Sequence, residues 1–360
     1  MTRYTILPIH RTIAAIAVAS ALVACGDDDT IVNVTPITTD RYAVTKLVSD
    51  VNGAGAATVD PNLVNAWGLA FNPAFNVMWV ANEGSGTSTV YDVNGVPLTP
   101  VVTIPTATSA TGGQPTGVVY NGTQDFVITG GNPAAYLFAG IDGAITGWNG
   151  GTSAHVVVDR TAQDAVYTGI AIASTGGANF VYAANFKHNA IDVFDKNFAF
   201  VKSFTDPNIP AGYGPFNVQT LGGRLYVAYA KQKAAPNNDE EEKGAGLGFI
   251  DVFNADGTLV SRFASNGNLN APWGMAIAPA GFGAFSGSIL IGNFGDGRIG
   301  VYDPATGNFV DWLRDATDQP IVLDGLWGIT PGPSTQPASL FFAAGPNDET
   351  HGLVGKITLR

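Results

Sequence analysis

Cysteine is almost absent from this sequence, which has a single copy, Cys25, among its 360 residues. A disulfide within the chain needs a second cysteine, so the fold must be stable without one. Charge is also scarce, because Asp, Glu, Lys and Arg make up 13% of the residues, with a formal net charge of −12. No basic cluster stands out and an acidic surface repels a phosphate backbone, so we expect no nucleic-acid partner.

Common enzyme motifs are missing as well. The sequence has no G-x-S-x-G motif, which argues against an esterase with a nucleophile elbow, and no H-E-x-x-H or C-x-x-C motif. The glycine-rich stretch Gly244–Gly248 lacks the G-x-G-x-x-G spacing of a dinucleotide-binding loop. Of the four histidines, His10 lies near the N-terminus and His155 in a predicted outer strand. This leaves His188 and His351 for acid–base chemistry.

An apolar run near the N-terminus, Thr12–Ala24, is too short to span a bilayer core of about 30 Å as a helix. It ends in LVAC, which resembles a bacterial lipobox. Residues 1–24 are therefore expected to be a lipoprotein signal peptide, with lipid attached at Cys25. An ordinary signal peptide is the alternative. Residues 25–41 are polar and are expected to be a flexible tether.

In place of these features the chain is rich in glycine (45) and proline (21), which favours short strands and turns over helices. A phrase of Trp-Gly followed by apolar residues occurs three times, at Trp67, Trp273 and Trp327. With three weaker copies, the aligned positions are Gly68, Gly117, Gly169, Asn217, Gly274 and Gly328. Their spacing of about fifty residues is the length of one propeller blade.

Each copy continues with further apolar runs of strand length that are separated by turn residues. In the second copy, for example, the run after the inner strand is Asp125–Gly130. The sixth copy ends after its third run, whereas residues 42–51 are a strand-like segment that precedes the first copy. The pattern predicts an all-β, six-bladed β-propeller of four-stranded antiparallel blades over residues 42–360. Pairing of 42–51 with the last blade would close the ring.

The fifth unit, APWGMAIAP followed by SILIGNFGDGRIGVYDPATGNFVDW, resembles the NHL class of propeller repeats. It has a Pro/Gly start, a second strand rich in small residues, and a third strand with an aromatic residue and Asp. Residues 42–360 also look like an uncharacterised family of exported bacterial proteins with this six-fold pattern. The resemblance implies the fold but no reaction, since propellers host unrelated activities.

The functional site is expected on the face that carries two sets of loops, those entering the inner strands and those joining the second and third strands. This face should carry Asn65, Glu83, Gln114, Lys187, His188, Asn217, Lys231, Asn270, Asp296, Asp324, Asp348, Glu349 and His351. The repeated tryptophans are expected in the entering loops, either wedged between blades or as an aromatic floor for a ligand. The predicted ligand-binding residues are Trp67, Trp273, Trp327, Asn217, His188 and His351.

Metal-dependent six-bladed lactonases are the sharpest enzyme comparison, because they hold a divalent cation on the axis with carboxylate and amide oxygens. That comparison implies a site of three ligands here, Glu83, Asn217 and Asp324, since the other matching inner positions are glycine. Oxygen ligands of this kind suit calcium. Calcium is therefore the one cofactor that the sequence suggests.

The longest insertion, Lys231–Gly246, is expected to be a solvated, mobile loop or else a flap over the central opening.

We expect the protein to be a lipid-anchored binding or scaffolding platform in the bacterial cell envelope, in the periplasm or on the outer surface, with a protein or glycan ligand. The competing interpretation is a hydrolase or lyase, dependent on calcium, that acts on a small ester or lactone at the axis. An enzyme should concentrate carboxylates or histidines in an axial pocket of ligand size.

Overall fold

A computed structural model describes residues 40–360. The predicted signal peptide (1–24), the predicted lipidation site Cys25 and nearly all of the predicted tether (25–41) lie outside the described residues. Within residues 40–360, no helix has the length and apolar character needed to cross a membrane.

The described residues form six antiparallel sheets around a central axis, which confirms the predicted all-β propeller. The strands in chain order are β1 Tyr42–Ser49, β2 Thr58–Val59, β3 Ala66–Asn72, β4 Val77–Asn82, β5 Thr87–Tyr91, β6 Pro97–Thr103, β7 Pro115–Tyr120, β8 Tyr136–Gly140, β9 Ala144–Trp148, β10 His155–Asp159, β11 Tyr167–Thr175, β12 Ala178–Asn185, β13 Ala190–Phe194, β14 Phe200–Phe204, β15 Tyr213–Leu221, β16 Arg224–Lys231, β17 Gly248–Phe253, β18 Leu259–Ser265, β19 Pro272–Ile277, β20 Ile289–Asn293, β21 Ile299–Tyr302, β22 Phe309–Trp312, β23 Leu326–Pro331, β24 Ser339–Ala344 and β25 Leu353–Leu359. Short 3-10 helices lie at Thr161–Gln163 and Gly283–Phe285.

Four consecutive strands make each of the first five blades, which are β3–β6, β7–β10, β11–β14, β15–β18 and β19–β22. The first strand of each blade is innermost, and the inner strands contact one another around the axis. Apolar side chains fill the space between neighbouring blades. Leu137 of blade two packs with Val181 of blade three, for example, and Phe341 of blade six packs with Val80 of blade one.

Blade six is built from both ends of the described chain, as predicted. Strand β1 pairs antiparallel with β25, with Tyr42 opposite Leu359 and Ser49 opposite Leu353, and the short β2 adds a parallel fifth strand. The Tyr42 hydroxyl donates a hydrogen bond to the Phe282 carbonyl of blade five at 2.9 Å. Pairing of this kind protects the edge of β25 and closes the ring.

The small residues at the aligned positions allow the inner strands to approach closely, which also agrees with the prediction. A Cβ atom on Gly274 would lie 2.5 Å from the carbonyl oxygen of Trp327. On Gly328, a Cβ would lie 2.7 Å from the carbonyl oxygen of Trp67. Both distances are too short for a real Cβ, so a side chain at either position would force neighbouring blades apart.

One predicted strand is wrong. Residues Asp125–Gly130 lie in the long connection between β7 and β8, and the second strand of blade two is Tyr136–Gly140. The segment is apolar because Phe126 and Ile128 are buried between blades two and three. Burial without ladder pairing therefore produced the same sequence signal as a strand.

Candidate functional site

The three repeated tryptophans lie inside the inner strands, not in the preceding loops as expected. Each is the second residue of its strand, Trp67 in β3, Trp273 in β19 and Trp327 in β23. In each case the residue two positions earlier has a left-handed backbone, namely Asn65 (φ 48°), Ala271 (φ 43°) and Gly325 (φ 64°). The same entry geometry therefore precedes all three side chains, which meet in one buried cluster.

These indole rings pack against one another at the centre of the ring of blades. Trp67 stacks on Trp327 with ring centroids 3.6 Å apart, and Phe294 stacks on Trp327 at 3.8 Å. Trp273 meets Trp67 and Trp327 edge-on, at 6.1 and 5.8 Å. Phe216 occupies the tryptophan position in blade four and lies 5.6 Å from Trp327. We call these five side chains the axial aromatic cluster.

Hydrogen bonding distinguishes the three indoles. Trp327 Nε1 donates to Asn65 Oδ1 at 3.1 Å, and Trp273 Nε1 donates to the Thr168 carbonyl at 2.9 Å. Trp67 is 4% exposed, and its Nε1 is buried with no hydrogen-bond partner among the described residues. An unsatisfied buried donor costs about 1–3 kcal/mol. An acceptor supplied at this N–H would therefore be stabilising.

The insertion at residues 231–246 is ordered and lies over the axial aromatic cluster, which supports the flap alternative. Gln232 Nε2 donates to the Phe186 carbonyl at 2.7 Å, which ties the insertion to blade three. The Gly244 amide donates to Asn270 Oδ1 at 2.7 Å, which ties it to the entry of blade five. The insertion is therefore held on both sides of the blade that carries it, and we call it the flap.

A cavity of about 500 Å³ lies between the flap and the axial aromatic cluster. Trp67, Phe216 and Trp327 line it from the cluster, while Glu241 and other charged residues line it from the flap. Its volume falls within the range of about 300–1,000 Å³ that is usual for small-molecule sites. The arrangement combines an aromatic floor with a charged roof, and we call this space the axial cavity.

Asn65 connects the aromatic floor to two carboxylates. Its Nδ2 donates to Glu83 at 2.8 Å and to Glu349 at 3.0 Å, while its Oδ1 accepts from Trp327. Gln114 Nε2 donates to the other oxygen of Glu83 at 2.6 Å. This network fixes the orientation of Glu349, which lines the axial cavity.

Two carboxyl groups of the axial cavity have raised pKa values. Burial, with the charge of Glu349 as a smaller cause, raises the pKa of Glu241 to about 7. Burial also raises the pKa of Glu349, although the hydrogen bond from Asn65 lowers it. Like charges therefore disfavour ionisation at both groups, Glu349 acting on Glu241 and Glu83 and Asp348 acting on Glu349.

A smaller groove of about 170 Å³ adjoins the axial cavity and shares Lys243 and Glu349 with it. Asp296, Asp324 and Asp348 line this groove, together with Phe294. The Lys243 ammonium lies 4.1 Å from the centroid of the Phe294 ring, which is a cation–π contact. This lysine of the flap therefore lies between the groove and the axial cavity.

The other predicted ligand-binding residues lie away from the axial cavity. Asn217 lines a separate cavity of about 240 Å³ among the inner strands, and its amide bridges to blade five by donating to the Trp273 carbonyl at 2.9 Å. His188 is exposed, and its Nε2 is 2.9 Å from the Asp164 carbonyl. His351 Nδ1 is 2.8 Å from Asp50. Asp50 follows β1 and His351 precedes β25, so this contact joins the N-terminal and C-terminal segments of blade six.

The three predicted calcium ligands are likewise in different surroundings. Glu83 is bound by Asn65 and Gln114, and Asp324 lines the groove and accepts from the Asn347 amide at 2.8 Å. Asn217 lines the inner-strand cavity. Within residues 40–360, no group of three His, Cys, Asp or Glu side chains is placed to hold a metal ion.

Sequence reasoning missed Phe216, Phe294 and Glu241. Phe216 could have been found, because it precedes Asn217 as Trp67 precedes Gly68. Phe294 ends the second apolar run of the fifth copy, but nothing in that run marks it as axial. Glu241 is one of several consecutive acidic residues, and only its packing distinguishes it from them.

Sequence comparison identifies viral relatives. The chain is 35% identical over 331 residues to the uncharacterised protein R648 of Acanthamoeba polyphaga mimivirus, covering 88% of this chain and 80% of that protein. It is 36% identical over 333 residues to L690 of the same virus, covering 88% and 85%. No family model matches. The expectation of a bacterial, exported family is therefore not confirmed and stays a prediction.

Solved structures agree with the fold. A Bacteroides thetaiotaomicron protein of unknown function gives a TM-score of 0.56 at 11% identity, covering 89% of this chain and 76% of that one. A streptogramin B lyase gives 0.51 at 14% identity, covering 89% and 98%. At such low identity these similarities show the propeller fold alone.

Proposed function

The chain belongs to the family of the uncharacterised mimivirus proteins R648 and L690, and we propose that it is a binding module that holds a small ligand in the axial cavity. The observation that supports this function is the cavity itself, with its aromatic floor and ordered roof. Six packed sheets hold the floor, whereas one loop supplies the roof. Entry by displacement of the flap would leave the rest of the fold unchanged.

The ligand is proposed to be part of a glycan or protein, and the module to be anchored in a bacterial envelope by lipid at Cys25. The sequence of residues 1–25 supports that anchor. Substitution Cys25→Ser is expected to shift the protein from the detergent-rich to the aqueous phase in a detergent partition experiment. Equal partition of the variant and the wild type would contradict the anchor.

Binding is tested by titration calorimetry against a panel of mono- and disaccharides, small alcohols and short peptides. A panel member that binds should lose about tenfold or more in affinity with Trp67→Phe, because the indole N–H is lost while a ring is kept. Trp312→Phe is the matched control, since Trp312 lines neither the axial cavity nor the groove. If the folded protein bound no panel member, the binding function would be wrong.

Catalysis in the same cavity is the second candidate, supported by the raised pKa values of Glu241 and Glu349. A carboxyl group with a pKa near neutrality suits general acid–base chemistry on a small ester or lactone. Hydrolysis assays with and without added calcium test this candidate. Turnover that disappears in both Glu241→Gln and Glu349→Gln would favour the enzyme, and absence of turnover would favour the binding module.

A further inference from the structure

The charges around the axial cavity are unbalanced in a way that indicates the sign of its ligand. Its acidic lining residues are Asp239, Glu240, Glu241, Glu242 and Glu349, and its basic ones are Lys233 and Lys243. Lys233 is paired with Glu240 at 2.5 Å. The other ammonium, on Lys243, is directed to the face of Phe294. Carboxylates therefore outnumber the cations that could neutralise them.

Glu241 and Glu349 place part of this excess negative charge inside the cavity. Both are partly buried, both line the space, and the charge of Glu349 helps to raise the pKa of Glu241. Neither makes a direct ion pair within residues 40–360, where Lys233 is paired with Glu240. The charge of Lys243 lowers the pKa of both carboxyl groups, but burial outweighs it and both pKa values remain raised. Two ionised carboxylates that share a desolvated space are unfavourable unless a cation lies between them.

The aromatic floor of the cavity places a second, independent requirement on the ligand. Trp67 is 4% exposed and lines the cavity, and its indole N–H lacks an acceptor, whereas the N–H groups of Trp273 and Trp327 are satisfied. An indole N–H donates and never accepts, so its partner must be an acceptor atom. A simple metal cation would meet the carboxylates but leave this donor unsatisfied.

The flap already places an ammonium beside this site. Lys243 Nζ lies 4.1 Å from the Phe294 centroid, and Phe294 stacks on Trp327, which stacks in turn on Trp67. An organic cation is thus accommodated at the edge of the axial aromatic cluster in the structure itself. Both aromatic faces and carboxylates attract such cations.

We infer that the axial cavity binds an organic ammonium compound that also carries a hydroxyl or carbonyl oxygen. The ammonium would lie between the carboxylates of Glu241 and Glu349. The oxygen would accept the hydrogen bond from Trp67 Nε1, an atom that is buried in the structure and that a shift of the flap or of the indole ring must uncover. This assignment rests on the proposed binding function and specifies its ligand class. Amino sugars and amino alcohols have the required combination of groups.

Two matched pairs of probes test the assignment by titration calorimetry. Choline is compared with 3,3-dimethylbutan-1-ol, its neutral isostere, and glucosamine with N-acetylglucosamine. At least one cation should bind about tenfold or more tightly than its neutral partner, the factor expected from a charge-assisted contact. If neither cation is preferred, the ligand class is wrong. If a neutral sugar or peptide still binds in that case, the binding function survives.

Two variants locate the contacts. Glu349→Gln should reduce the preference for the cation about tenfold, whereas Asp303→Asn, in an exposed turn, removes one charge and should leave the preference unchanged. Trp67→Phe should weaken choline more than tetramethylammonium, which has the charge but no oxygen. This ratio would not move if the tryptophan served packing alone, so equal weakening of both cations would overturn the oxygen contact.

Discussion

At the level of single residues, the aligned small residues show how far a sequence pattern can be taken. Repetition and spacing predicted that glycine stands where inner strands approach, and the distances at Gly274 and Gly328 agree. The same reasoning placed the tryptophans in loops. It failed there because a left-handed residue such as Asn65 or Ala271 ends the loop two positions earlier than expected, and such backbone angles have no certain sequence signature.

The close approach at Gly274 gives a direct prediction. In Gly274→Ala, the added Cβ would lie 2.5 Å from the Trp327 carbonyl oxygen, so blades five and six must separate. We expect the free energy of unfolding in urea to fall by about 1–3 kcal/mol, the usual cost of overpacking. Gly122→Ala is the control, because its Cβ would make an ordinary 3.5 Å contact with Tyr120. Equal stability of the two variants would contradict the close approach.

At the level of elements, the flap is where sequence reasoning ended with two alternatives. Composition alone describes residues 231–246 as a charged loop, and such loops are usually mobile. The anchors that order it, Gln232 on the Phe186 carbonyl and Gly244 on Asn270, join parts of the chain far apart in sequence. Only the ring geometry brings these partners within reach, so the sequence could not decide between the alternatives.

The flap should also make stability depend on pH. Burial raises the folded-state pKa of Glu241 from 4.5 to about 7, so its stabilising contribution is complete below pH 4.5 and is lost as the pH rises through 7. We expect the melting temperature to fall between about pH 5 and pH 8. Glu241→Gln should reduce that fall and raise the melting temperature at the higher pH.

The exposed neighbour Glu242 provides the matched control for this titration, since Glu242→Gln removes the same charge from the same loop. Asp251 is buried between blades three and four, and this burial raises its pKa to about 7. It therefore titrates in the same pH range as Glu241, so part of the pH dependence should persist in Glu241→Gln. Melting curves of Glu241→Gln and Glu242→Gln that shift identically with pH would show that Glu241 is not the group responsible.

At the level of the whole molecule, closure of the ring was predictable because the count of strands was incomplete. The six copies lack one outer strand, and one strand-like segment before the first copy is unassigned. The simplest solution is that this segment pairs with the last strand of the sixth copy. The pairing of β1 with β25 confirms it. What the count could not show is the aromatic centre, since Trp67, Phe294 and Trp327 come from three blades and meet only when the ring is closed.

Closure predicts how truncation affects the fold. A chain that begins at residue 40 keeps β1 and should unfold cooperatively, whereas one that begins at residue 51 exposes the edge of β25 and the partners of buried Tyr42 and Val48. We expect the shorter chain to melt at a lower temperature or to aggregate in calorimetry and light scattering.

A synthetic peptide of residues 40–51, added in excess, should restore part of the lost stability, because it supplies the missing strand by mass action. A scrambled peptide of the same composition should not. If the two truncated chains had the same melting temperature, blade six would be stable without β1. Closure would then have to come from the contacts that β23 and β24 make with β3.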